Sequence, residues 1–76
     1  MPIPVKLFAN LRSRFGDEVE IDLEPPAPVS ELQSLLQNCG YWSSGARIAL
    51  NLAFANSQDT IKEGDEVAVI PAVSGG

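Results

Sequence analysis

The chain contains no histidine. Acid-base, nucleophilic and metal-site schemes that rely on imidazole are therefore excluded. Cysteine is limited to Cys39, so no internal disulfide can form, and a reducing, cytoplasmic setting is expected. Basic side chains are also scarce, five against ten acidic ones, which leaves a net charge of −5. A field of that sign repels phosphate backbones and anionic lipid surfaces, so neither nucleic acid nor membrane is expected as a partner. No apolar run approaches the roughly 20 residues needed to cross a bilayer. The N-terminus shows neither a basic patch followed by an apolar run nor a cleavage site. Length is short as well. Its 76 residues make one domain, near the lower limit for a core without disulfide or metal, and too small to enclose a large substrate pocket. The expectation is a chain that binds no cofactor, is not catalytic by itself and acts with a larger partner.

What is present is a core-forming composition, 45% hydrophobic and only 20% charged. Ile3, Val5, Leu7 and Ala9 alternate with Pro4, Lys6, Phe8 and Asn10, the two-residue period of a half-buried strand. Residues 10–15 lack that alternation and suit a single helical turn before Gly16 reverses the chain. Val19, Ile21 and Leu23 then alternate with Glu18, Glu20, Asp22 and Glu24, which predicts a second strand, antiparallel to the first, with a solvated acidic face. The prolines at 25, 26 and 28 break regular structure. Beyond them Val29, Leu32, Leu35, Leu36 and Cys39 fall on one helical stripe, so Cys39 is expected to be buried and structural. Ser30 and Gln33 have the spacing of a capping box, and Gly40 suits the left-handed close of that helix.

Ile48-Ala49-Leu50 and Ala53-Phe54-Ala55 read as a short hairpin around Asn51-Leu52. Asparagine tolerates the positive φ of a tight turn and leucine does not, so a strained or longer turn is expected. Glu63-Gly64-Asp65 then leads into a last strand, Glu66 to Ile70, which Pro71 ends. The order of elements has one economical solution: a hairpin covered by a crossover helix, with the last strand inserted beside the first and parallel to it. This is an α+β fold of the β-grasp, or ubiquitin-like, class, with a mixed sheet and one crossover helix. Residues 1–70 form the domain and residues 71–76 a flexible tail. Val67 and Val69 are expected to face the helix with Val5, Leu7, Val19 and Ile21, while Phe8, Ala68 and Ile70 face away.

The tail, Pro71-Ala72-Val73-Ser74-Gly75-Gly76, has little packing capacity, and its paired glycines remove the side chains that would block a narrow tunnel. Phe8 and Ile70 on adjacent strands, joined by Phe54 if the turn has two residues, would make an apolar docking patch at the tail root, with Arg12 at its edge.

Gly64 to Gly76, Val5-Lys6-Leu7-Phe8-Ala9-Asn10-Leu11-Arg12 and Ala49-Leu50-Asn51 resemble the corresponding stretches of molybdopterin synthase small subunits, which end in Gly-Asp-Glu-Val, an apolar strand, then Pro-Pro-Val-Ser/Thr-Gly-Gly. Ala72 stands where a second proline is usual, and Leu52 where a small or polar residue is usual. The resemblance implies a sulfur carrier whose Gly76 carboxylate is joined to AMP by an ATP-using adenylyltransferase related to ubiquitin-activating enzymes. A sulfur donor then converts it to a thiocarboxylate. Pro71, Val73, Ser74 and Gly75 would thread the tail into the large synthase subunit, where the sulfur passes to cyclic pyranopterin monophosphate. A ubiquitin-like modifier joined to target lysines, the thiamin-biosynthesis sulfur carrier and a purely structural interaction domain are the competing readings.

Overall fold

Residues 2–72 are described by a computed structural model. Strand β1 (Pro2–Leu7) runs into helix α1 (Ala9–Phe15) and returns as β2 (Glu18–Asp22). A short β3 (Ala27–Pro28) leads into the long helix α2 (Val29–Cys39). Strands β4 (Arg47–Leu50), β5 (Ala53–Phe54), β6 (Thr60–Ile61) and β7 (Val67–Ile70) follow. The main sheet has the order β2-β1-β7-β4-β5, with β7 parallel to β1 and antiparallel to β4. This is the expected β-grasp arrangement. The segment after β1 extends beyond a single turn into a helix of seven residues, anchored by buried Leu11, so two helices flank the sheet.

Alternation decides which side chains enter the core. Val5, Leu7, Val67, Val69 and Ile48 point to the α2 side and are almost wholly buried against Leu32 and Leu36. Burying side chains of this kind contributes about 1.5–3 kcal/mol each, and the cluster supplies the main force holding helix to sheet. Val19, expected on the same side, lies nearer the edge, half-buried against that cluster.

The capping box at the start of α2 does not form: Pro28 occupies the cap position and no side chain caps the helix. The first amides are satisfied instead by distant backbone, the Val29 N–H donating to the Asp59 carbonyl at 2.8 Å and the Ser30 N–H to that of Ser57 at 3.0 Å. These bonds continue the pairing of β3 with β6, a two-stranded sheet whose register joins Ala27 to Ile61. At the other end Gly40 takes φ +86°, and the Tyr41 N–H donates to the Leu36 carbonyl at 2.9 Å. The helix therefore stops at Gly40 as expected.

Cys39 is exposed, which corrects the expectation that it is buried. It lies on the stripe by angle, but the buried contacts of α2 reach only Leu36. Beyond that point Tyr41 turns back against the core and meets Phe15 edge-on, 4.9 Å between ring centroids.

Candidate functional site

The second face of the sheet is built from the alternate residues of the same strands. The register sets Lys6 opposite Ala68, Ala68 opposite Ala49, and Ala49 opposite Phe54. Two small residues on the central strands thus lie between larger ones on the flanks. The result is a shallow depression of about 160 Å³, floored by Ala49 and Ala68 and walled by Phe8, Phe54, Ile70 and Leu52. Phe8, Leu52 and Phe54 are the large apolar side chains that remain exposed on the described surface.

The hairpin beside the depression turns in two residues, because Leu50 pairs directly with Ala53. Asn51 and Leu52 both take positive φ, +52° and +70°. The alternative of a longer turn is therefore excluded, and Leu52 does occupy a left-handed conformation that branched residues disfavour. Asn51 holds the turn in place. Its side-chain oxygen accepts from the Glu66 N–H at 3.0 Å, its Nδ2 donates to Asp65 at 3.1 Å, and its own N–H donates to the Glu66 carbonyl at 2.8 Å. Asp65 also accepts from the Lys62 N–H at 2.8 Å. The Lys62 amide first, and the Asn51 amide second, hold the Asp65 carboxyl below its ordinary value. Two of the sequence stretches that drew attention, Ala49-Leu50-Asn51 and Gly64-Asp65-Glu66, are thus one interlocked unit at the end of the sheet.

Charges surround the depression. Lys6 pairs with Glu66 at 3.1 Å, and Arg12 with Asp17 through its Nε. Arg12 and Phe8 share an adjoining hollow, so Arg12 stands at the edge of the apolar face. On the opposite side the Arg47 guanidinium lies over the Phe54 ring, 4.1 Å from its centroid. Arg47, Phe54 and Ile70 line a further hollow with Gly45, Pro71 and Ala72. Pro71 is buried, and Gly45, at φ +82°, lies so near Ala72 that an added Cβ would stand 3.0 Å from the Ala72 Cβ. The tail root therefore leaves the body at the rim of the apolar face.

Of the residues singled out in the sequence, Phe8, Arg12, Phe54, Ile70 and Pro71 are brought to this one face. Val73, Ser74, Gly75 and Gly76 lie outside the described residues. Arg47 and Gly45 belong to no stretch marked in the sequence, although strand alternation through Ile48 places Arg47 outward. Among the described residues no cluster of three or more histidine, cysteine or acidic side chains could hold a metal ion, and no helix is long and apolar enough to cross a membrane.

A β-grasp body whose apolar sheet face adjoins Pro71 and Ala72, in a sequence that ends Gly75-Gly76, defines the class of ubiquitin-like carriers. Residues 5–76 match the ThiS family, and the chain belongs to that family. SAMP1 from Haloferax volcanii is similar at 26% identity and a TM-score of 0.73, with 100% of both chains covered. A chain from Pyrococcus furiosus assigned as molybdopterin converting factor, subunit 1, has 28% identity and a TM-score of 0.73 over 96% of this chain and 99% of that one. The complex of subunits 1 and 2 of molybdopterin-converting factor from Helicobacter pylori 26695 contains a chain of 26% identity and TM-score 0.68, with 100% of both covered. No curated protein sequence matches.

Proposed function

We propose that this chain is the small, sulfur-carrying subunit of a molybdopterin synthase. The reading is carried by full-length similarity to molybdopterin-converting factor chains, one of them in complex with its subunit 2. The sequence ending Pro71-Ala72-Val73-Ser74-Gly75-Gly76 supports it.

A terminal carboxylate, with an ordinary pKa near 3.5, is an anion at neutral pH and a poor electrophile. Its chemistry therefore begins with activation. A Gly76 carboxylate oxygen attacks the α-phosphorus of ATP and displaces pyrophosphate, and hydrosulfide released by a sulfur donor then attacks the acyl carbon, expels AMP and loses its proton. The resulting thiocarboxylate is the nucleophile delivered to cyclic pyranopterin monophosphate in the large subunit. The present chain supplies the reacting atom and the docking face formed by Phe8, Arg12, Phe54 and Ile70, while the partner supplies the catalytic side chains. Ordering a tail costs on the order of 1–2 kcal/mol per residue in backbone freedom, and contact through the body offsets that cost.

Similarity to SAMP1 over the whole of both chains favours a second reading, a protein modifier. Membership of the ThiS family keeps a third, sulfur delivery to thiamin synthesis. Copurification of the full-length chain from its own cell separates them. Recovery of a molybdopterin synthase large subunit is the expected result. Recovery of a thiazole synthase instead, or of Gly76 in isopeptide linkage to many proteins, would replace the proposal with the corresponding alternative.

A further inference from the structure

Leu52 combines two features that folding alone does not explain. It is 89% exposed, and it is held at φ +70°. A single exposed leucine is ordinary on a protein surface. A leucine that is also confined to the left-handed region is not, because that conformation favours glycine and asparagine and penalises a Cβ. The side chain gains little burial to offset the strain. What it does is raise one wall of the depression floored by Ala49 and Ala68.

We infer that Leu52 is a specificity anchor, a side chain that enters an apolar recess on the protein that receives the tail. The inference rests on the carrier reading above and deepens it by specifying what the partner must present. Two observations identify the occupant. The tail root at Pro71 and Ala72 shares the wall residues Phe54 and Ile70 with the depression, so a protein that takes the tail must cover this face. The charge distribution also selects its chemistry. The linings of this face contain Lys6, Arg12 and Arg47 together with Asp17, Glu18 and Glu66, a balanced set, so the net charge of −5 lies elsewhere on the molecule. The face therefore fits an apolar surface, with a carboxylate placed to meet the Arg47 guanidinium at the tail side. An acidic chain of this kind repels its own copies through the rest of its surface, which disfavours self-association as the use of the patch.

The test exploits opposite signs. Asparagine at position 52 suits positive φ and removes the apolar wall, so Leu52→Asn should raise the melting temperature while weakening partner binding at least about tenfold. Leu52→Met should bind within about threefold of wild type. Binding of the full-length chain, Leu52→Asn, Leu52→Met and Phe8→Ala to the large subunit from the same cell is measured by calorimetry, with thermal unfolding of each and sedimentation of the chain alone. Unchanged binding by Leu52→Asn beside weakened binding by Phe8→Ala would overturn the anchor and leave the carrier reading intact. Failure of the wild-type chain to bind would overturn both. Concentration-dependent dimers abolished by Leu52→Asn would assign the patch to a second copy and overturn the inference.

Discussion

Asn51 joins segments fifteen residues apart in sequence through three hydrogen bonds, to Glu66 twice and to Asp65 once. Replacing it by alanine removes both side-chain bonds, which are exposed, and leaves an alanine at φ +52°, a combination expected to cost about 1–3 kcal/mol in denaturant unfolding. Asp65 adds a pH dependence whose sign follows from its lowered pKa. Its contribution is fully present above the ordinary carboxylate value of 3.8 and is lost as the pH falls through the lower folded-state value. Thermal unfolding of wild type and Asp65→Asn should therefore differ most near neutrality and converge in acid; a gap that widened on acidification would contradict the assignment. Cys39 is exposed at the last turn of α2. Cys39→Ser is expected to unfold within about 0.5 kcal/mol of wild type, and a loss above about 1 kcal/mol would mean that the thiol is packed after all. Angular position on a stripe was readable in the sequence, whereas the point at which the sheet ceases to cover the helix depends on Tyr41 folding back.

Each central strand serves two environments. In β7, Val67 and Val69 belong to the core under α2, while Ala68 and Ile70 face the depression. Strand order and the two faces were legible because a period of two is strong in β1, β2 and β7. The pairing of β3 with β6 was not, since two-residue strands beside prolines carry no period, and the caps of α2 come from carbonyls of Ser57 and Asp59 that no local motif reveals. The outward face predicts an asymmetry between folding and association. Phe8, 42% exposed, and Ile70, half-buried, should each lower affinity for the large subunit by about 2 kcal/mol or more when replaced by alanine, with a smaller loss of stability. Calorimetric titration beside thermal unfolding checks this, and normal binding by both variants would move the docking face elsewhere.

At the scale of the molecule, the tail root emerges beside the neutral apolar face, while the body carries its negative charge away from it. The ending Ser74-Gly75-Gly76 lies outside the described residues and was legible only in the sequence, through its resemblance to the endings of a family of sulfur carriers. Its role can nonetheless be separated from folding. Deleting Gly76 withdraws the carboxylate by up to about 3.5 Å and leaves every core position unchanged. Misplacement of reacting atoms by about 1 Å can cost roughly a hundredfold in rate, so adenylation and sulfur transfer should collapse while binding through Phe8 and Ile70 largely survives. The decisive measurement is intact mass after incubating the full-length chain and the chain ending at Gly75 with the activating enzyme, ATP and a sulfur source. The full-length chain should gain the mass difference between oxygen and sulfur and the shortened chain should not; equal thiocarboxylate formation by both would contradict the assignment of Gly76 as the sulfur-bearing end.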